Sequence, residues 1–400
     1  MTDAGAVAAE VHEVDTAASR LERLRCTIAR LRAVPWLGPV TVTWCATRVL
    51  IFALAWCGSW LATRHALHYA EPGLFHGPRP LEVVGGWDGS WYRLIARVGY
   101  PTHLEAHHYS RLAFFPLLPL LIAFVQLSGV SSLVAGLLVV NLASLFAFWA
   151  VAALTETYFG AEIAGRTAVY LAISPMAFVF GMIYTEALLV ACGFGAAALM
   201  LRGRPWLAAP LGLACGLSRP TGALIVVPLL AIAYRANRPR TGAFAAAVAP
   251  VAGLALFAAY AWWHTRDWLV FLRAELAWGR HPASLIGLKT LIERSSTQLS
   301  GHPSLWLLRD AGGFVVTLLL LAYGVRRGFP LSWMFFGLCC VIIPAASGSA
   351  VSLARLALVV LPAFWALSML GRHRWFDQCY RLIAPALMSV GMLTVPLHWP

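Results

Sequence analysis

The stretch Gly85-Gly86-Trp87-Asp88-Gly89-Ser90-Trp91-Tyr92-Arg93-Leu94-Ile95-Ala96-Arg97-Val98-Gly99-Tyr100 sets one acidic residue among glycines and aromatic rings, in the first sizeable polar interval of a chain dominated by apolar runs. Gly85, Gly86 and Gly89 permit a tight turn, and Asp88 is of the residue type that caps the helix expected to follow. Trp87, Trp91, Leu94, Ile95 and Val98 fall at helical spacing on one face, with Arg93 and Arg97 on another. That pattern predicts a short amphipathic helix lying in a membrane interface and holding Asp88 at the water boundary. Locally, the same residues also fit a plain cap beside an aromatic belt, so the rest of the chain must decide what Asp88 is for.

Outward from this stretch the composition is that of a polytopic membrane protein. Of 400 residues, 60% are hydrophobic and 12% charged, with a mean hydropathy of +0.73; soluble domains carry roughly 25% charged residues. The net charge of +13 does not call for a nucleic-acid partner. The arginines sit in short intervals between apolar runs, where they act as topology signals, and not on one face of a soluble module. The eight cysteines show no zinc or redox spacing, and the polar intervals 63–111 and 264–310 contain none, so no disulfide staples them.

Residues 1–34 carry Arg20, Arg23, Arg25, Arg30 and Arg32 with no preceding apolar core, which reads as a cytoplasmic basic tail and not a cleavable signal peptide. Residues 35–400 read as a single membrane domain with outer loops 63–130 and 264–310. The first run, Val34 to about Leu61, is long enough for a bilayer of roughly 30 Å, and Arg48 within it needs a partner or a polar cavity. The turns with Arg202/Arg204, Arg235/Arg238/Arg240, Arg326/Arg327 and Arg372/Arg374/Arg381 belong on the inner side by their charge. With the Glu162–Arg166 turn inside and Tyr184-Thr185-Glu186 outside, an odd number of spans fits between Arg111 and Glu162. The segment 113–129, opened by Pro116 and Pro119, is therefore expected to be re-entrant or interfacial, and 131–154 to be the second span. Further spans are expected at 165–182, 185–201, 205–218, 220–235, 242–263, 311–325, 331–346, 354–371 and 381–397. The predicted fold class is all-α, a multi-pass protein of the plasma membrane with about 11 transmembrane helices plus interfacial or re-entrant helices in the first outer loop.

Parity gathers the polar clusters on one side. Trp87-Asp88, Tyr109-Ser110-Arg111, Tyr184-Thr185-Glu186, Ser218-Arg219-Pro220-Thr221 and 347–355 all fall outside, with Trp278-Gly279-Arg280-His281 in the second outer loop. A loop carboxylate, a second carboxylate at a helix end and several arginines suit an anionic substrate whose partner must be deprotonated. Arg219 and Arg355, each at a helix end beside hydroxyl residues, are candidate phosphate ligands, because guanidinium is permanently charged and forks onto phosphate oxygens. Residues 205–218 would reach only about 21 Å as a helix, which holds Arg219 below the outer surface, where a charge is costly unless used. The plain readings beside these are snorkelling to lipid headgroups for each arginine and helix capping for Glu186. His103, His107, His108 and Glu105 are metal-ligating types, but their Pro-flanked loop gives no defined ligand geometry. No metal site or other cofactor is expected.

Gly86-Trp87-Asp88-Gly89-Ser90-Trp91-Tyr92, followed by Ile95-Ala96 and Gly99-Tyr100-Pro101, resembles the first-loop signature of the PIG-V-like mannosyltransferases, a branch of the GT-C membrane glycosyltransferases. Further matches follow in order: the run 113–120, Tyr184-Thr185-Glu186-Ala187, Ser218-Arg219-Pro220-Thr221-Gly222, Phe271 to Arg280, and Arg355-Leu356 with Pro362. The resemblance extends over about residues 36–372. It implies transfer of a sugar, mannose in this branch, from a polyprenyl-phosphate donor to a glycolipid or protein hydroxyl on the outer face of the membrane, with inversion at the anomeric centre. It places Asp88 as the catalytic base, with Arg219, Arg355, Arg111, Tyr184, Glu186, Trp87 and Arg280 as candidate substrate contacts. A polyprenyl phosphate is already a good leaving group, so one base suffices where glycosidases need two carboxyl groups, and arginines can neutralise the departing phosphate. The chain departs from the pattern at Leu356, where close relatives often carry Tyr, and in the His-rich loop after Gly99. Two other classes compete with this reading. A polyprenyl-phosphate-sugar flippase or transporter predicts inverted repeats and mid-membrane ionisable residues in matching halves, and no repeat is visible. A noncatalytic membrane subunit predicts that Asp88→Asn leaves the activity of its assembly intact.

Overall fold

Every regular element among the described residues is helical. The computed structural model describes residues 34–64, 80–105, 108–236, 240–300 and 304–396; residues 1–33 of the expected basic tail, Cys26 and His107 lie outside them. In chain order the helices are α1 (Leu37–Arg64), α2 (Pro80–Gly85), α3 (Asp88–Val98), α4 (Leu117–Gln126), α5 (Ser132–Ala172), α6 (Glu186–Leu201), α7 (Pro205–Ser218), α8 (Val226–Arg235), α9 (Arg240–Thr265), α10 (Val270–Ala274), α11 (Leu285–Ser300), α12 (Leu305–Arg326), α13 (Leu331–Ala345), α14 (Leu353–Leu356), α15 (Leu361–Leu370) and α16 (Arg374–Thr394). Short 3-10 turns at Arg111–Ala113, Ala177–Gly181, Pro220–Ile225, Glu275–Trp278 and Ala357–Val359 join them.

Several long apolar helices give this fold the character of a membrane protein. Among the described residues four are long and apolar enough to cross a bilayer, Leu37–Leu61, Ser132–Ala172, Thr241–Thr265 and Leu305–Arg326. Leu353–Val359 and Leu361–Leu370 make a fifth if the pair, bent by 82°, counts as one span. Five further apolar helices, α4, α6, α7, α13 and Pro220–Arg235, have 10–17 residues, short of the roughly 20 that a straight crossing takes. The tally of full-length spans is therefore smaller than the sequence pattern suggested.

Two expected boundaries are corrected and one is kept. The expected separation of spans 131–154 and 165–182 is kept: the helical stretch α5 is two helices that meet at a kink at Gly160, whose φ of 81° and ψ of 170° are open to glycine. The break lies at Gly160, just before the expected Glu162–Arg166 turn; those two residues pair at 2.9 Å on the helix that follows the kink, which ends at Ala172, before the Ala177–Gly181 3-10 turn. The span expected at 354–371 is bent near Val360, because Pro362 lacks the N–H that a continuous helix would bond at this point. The segment 113–129 contains only the ten-residue α4, about 15 Å long.

Tight packing holds the bundle together. The helices α7 and α9 approach closely where Gly212 and Gly216, one small-xxx-small step apart, meet Ala246, Ala249 and Pro250; a Cβ on Gly216 would collide with the Pro250 carbonyl. Behind them α6, α13 and α15 share an aromatic centre in which the Trp333 ring lies 5.6 Å from Phe194 and 5.9 Å from Trp365. The Trp365 indole N–H is satisfied by Thr155 Oγ1 at 2.8 Å and that of Trp333 by the Tyr158 hydroxyl at 3.1 Å. Arg48, buried in α1, is held through Nη1, which donates to the Phe180 carbonyl at 2.6 Å and to Asn141 Oδ1 and Ser144 Oγ at 3.3 Å each, while Nε and Nη2 meet no partner among the described residues.

The helices also sort charge to two ends. Arg202 reaches Glu156 and the Ala153 carbonyl, and Arg166 reaches the Ser368 carbonyl and Asp377. At the far ends of α6 and α7, sixteen and fourteen residues long, Glu186 meets Arg219.

Candidate active site

The loop carrying Asp88 is pinned on two sides. Trp87, at a φ of 53° that side-chain-bearing residues rarely adopt, buries its indole and donates its N–H to the Val395 carbonyl at 2.9 Å. On the other side the Ile183 amide donates to the Val84 carbonyl at 3.0 Å, and a Cβ on Gly89 would press on Ile183 at 3.1 Å. The expected capping role is corrected. Trp87 occupies the cap position and its side chain does not cap the helix, and Asp88 is the first residue of α3, where the helix dipole favours a carboxylate. The buried face of α3 also differs from the expected one: Ser90, Tyr92 and Ile95 are buried, while Val98 is 59% exposed. Arg93 turns to Glu82 at 2.6 Å.

Two chain breaks bring the other charges to Asp88. Pro220 disfavours helical backbone at the residue before it, so Arg219 is extended (φ −173°) between α7 and the Pro220–Ile225 turn. Its Nη1 donates to Glu186 Oε1 at 2.7 Å. Glu186 opens α6 and is 1% exposed. The bent segment after α13 supplies Arg355 from α14: its Nη1 donates to Asp88 Oδ2 at 2.7 Å, its Nε lies 3.4 Å from Glu186 Oε1, and its guanidinium sits 4.9 Å from the Tyr184 ring centre. Asp88, Arg355, Glu186 and Arg219 thus form one unbroken chain of alternating charge.

A cavity of about 120 Å³ opens beside this chain. Asp88, Tyr184, Arg219, Arg355, Arg280 and Glu275 form its polar wall. Tyr92, Phe114, Phe115 and Trp278 form its aromatic one, with Tyr92 and Phe114 edge to face at 5.1 Å and Trp278 and Phe114 at 5.8 Å. Gly279 takes the left-handed turn (φ 69°) that lets Arg280 fold back, so that Arg280 lies 3.7 Å from Glu275 Oε2 and donates to the Val351 carbonyl at 3.1 Å. Burial pushes the Glu275 carboxyl above the usual carboxylate range, with Arg280 opposing it. Burial likewise holds the Tyr184 phenol well above its ordinary value, so the group is neutral, and its hydroxyl has no hydrogen-bond partner among the described residues.

No protein-family model matches the sequence, and no curated protein does. Among solved structures the chain is similar to the oligosaccharyltransferase of Archaeoglobus fulgidus. It matches the form complexed with zinc and sulfate at 15% identity and a TM-score of 0.45, over 86% of this chain and 53% of that one. The form tethered to an acceptor peptide containing the NVT sequon gives 15% identity and a TM-score of 0.43, over 88% and 53%. The chain thus spans about half the length of these proteins.

Of the residues singled out from the sequence, Asp88, Tyr184, Arg219, Arg280 and Arg355 line the cavity, and Glu186 lies directly behind its two arginines. Two do not join them. Arg111 instead donates to the Gly99 carbonyl at 2.8 Å on the exposed side of its loop, and the Trp87 ring anchors the backbone next to Asp88. His103 and Glu105 stand exposed, 3.9 Å apart. Glu275 and Tyr92 were not singled out. With only 17 acidic residues in the chain, a carboxylate five positions before Arg280 in the polar interval 264–310 was the available signal for Glu275.

Proposed function

We propose that the chain is an inverting glycosyltransferase of the GT-C type, close to the PIG-V-like branch, that moves mannose from polyprenyl phosphate to a hydroxyl of a glycolipid or protein on the outer face of the plasma membrane. The observation that carries this reading is the convergence of Asp88, Arg219 and Arg355, from three distant parts of the chain, on one cavity. Asp88 takes the proton of the acceptor hydroxyl as its oxygen attacks the anomeric carbon. The bond from that carbon to the phosphate oxygen breaks, and its electron pair leaves with polyprenyl phosphate. Arg219 and Arg355 meet the charge that develops there. Glu186 keeps both guanidinium groups in place while no phosphate is present, and the neutral Tyr184 hydroxyl and Arg280 contact the sugar or its phosphate.

The eleven-span topology, with residues 1–34 cytoplasmic and the cavity outside, belongs to the same proposal. The placement of Arg166 and Arg202 at the end of the bundle away from the cavity supports it, since basic residues favour the inner leaflet. Short helices such as α6 and α7 would then end beneath the outer surface, with protein burying the irregular backbone at their tips.

The test is a membrane assay with polyprenyl-phosphate mannose and candidate acceptors, comparing wild type with Asp88→Asn and Arg219→Ala. Loss of transfer in both, with donor binding lost only in the arginine variant, is the expected result. Full turnover in Asp88→Asn overturns the mechanism.

A further inference from the structure

Arg355 sits in a four-residue helical turn whose geometry is set by a carboxylate on another helix. Asp310, in the second turn of α12, is 4% exposed. Its Oδ2 accepts from the Ser352 amide at 3.2 Å and its Oδ1 from the Ala354 amide at 3.0 Å. Those two peptide groups flank Leu353, immediately before Arg355. Ser352 adopts a φ of 64°, a left-handed conformation that an L-residue holds only when its surroundings over-determine it. One turn further along α12, Gly313 lies under the same segment, and a Cβ there would come within 2.7 Å of the Ala354 Cβ. The backbone of α14 therefore rests directly on α12 and is clamped there by Asp310. Arg309 pairs with Asp310 Oδ2 at 3.0 Å, which offsets the cost of burying the carboxylate.

We propose that Asp310 is a positioning residue that aims Arg355 at the substrate phosphate. The inference rests on the reading of Arg355 as a phosphate ligand. A carboxylate is required because both facing groups are N–H donors and each takes one oxygen. An asparagine of the same shape turns an NH2 toward one of them and leaves a buried amide without an acceptor. Released from that bond, Ser352 relaxes out of its left-handed conformation, and Arg355 moves off the line joining Asp88 to Glu186.

The experiment measures binding of a short-chain polyprenyl phosphate to the purified full-length protein in detergent, for wild type, Asp310→Asn, Arg355→Ala and the double variant, with transfer kinetics alongside. Asp310→Asn is expected to weaken binding by roughly tenfold, the scale of one bond to a charged group. The loss falls on the donor KM with kcat largely kept, and the double variant binds no more weakly than Arg355→Ala alone, since both changes act through one side chain. Unchanged binding in Asp310→Asn beside a weakened Arg355→Ala overturns the inference and leaves the function standing. Losses that multiply in the double variant also overturn it. Unchanged binding in Arg355→Ala itself removes the phosphate-ligand reading on which the inference depends. Should Asp310→Asn not accumulate as monodisperse protein, Asp310→Glu keeps the charge and carries the same expectation at a smaller loss. Failure of both to fold overturns the inference, because Asp310 then holds the bundle and not the turn.

Discussion

Arg355 donates to Asp88 at 2.7 Å across 267 positions of sequence, which pairs the proposed base directly with a proposed phosphate ligand. A phosphate arriving at Arg355 competes for the guanidinium and frees a carboxylate oxygen for the acceptor proton. Asp88→Asn is accordingly expected to lower single-turnover transfer by about 10²–10⁴-fold, the range for loss of a general base. Polyprenyl phosphate binding stays equal or tightens, because an uncharged amide competes less well for Arg355. Weaker phosphate binding in this variant would contradict the competition.

Glu186 is the shared counter-ion of two arginines and is almost fully buried. Glu186→Gln leaves both guanidinium groups without it, and breaking a buried pair from one side costs about 3–5 kcal/mol. The expected result is a lower thermal midpoint in detergent, together with a larger upward shift on adding polyprenyl phosphate than wild type shows, since the ligand replaces the missing anion. Equal shifts in the two proteins would separate Glu186 from the phosphate site.

Arg48 serves the fold at a distance from the cavity lining. Its bond to the Phe180 carbonyl ties α1 to the turn before Tyr184, and Arg48→Leu is expected to cost about 1–3 kcal/mol, the penalty for leaving that buried acceptor unpaired. Arg48→Lys is expected to recover part of it, because all three bonds leave the single nitrogen Nη1 and an ammonium also offers three donors from one nitrogen. Thermal unfolding of the three proteins measures this, with the donor KM of the folded fraction unchanged.

The close approach of α7 to α9 positions Arg219, which follows directly on α7. Gly216→Ala sets a methyl group against the Pro250 carbonyl, backbone that cannot rotate away, so the helices must separate. Reduced accumulation of folded protein is expected, and what folds should bind polyprenyl phosphate less well than wild type. Normal yield with normal binding would show that α7 adjusts without moving its end.

Much of this protein is legible in the chain itself, because run length, charge and glycine content act locally. The apolar runs specify an all-α membrane protein, and the arginine-rich turns mark alternate ends of its helices. Pro220 predisposes Arg219 to break out of its helix, and the glycines around Asp88 mark a tight turn. Even the polar segments that converge were recognisable as a set, through the parity of the runs between them. Where a run continues without a polar interval, local pattern loses its force: the bend near Val360 depends on which neighbours pack there. Only the tertiary structure decided that Arg355 stands between Asp88 and Glu186, that Glu275 faces the cavity, that Arg111 turns away and that Asp310 clamps a turn 42 positions further on. Each of these is a pairing between side chains or backbone groups brought together by helix packing. The energy of such a contact depends on burial and distance in space, which neither composition nor spacing along the chain encodes.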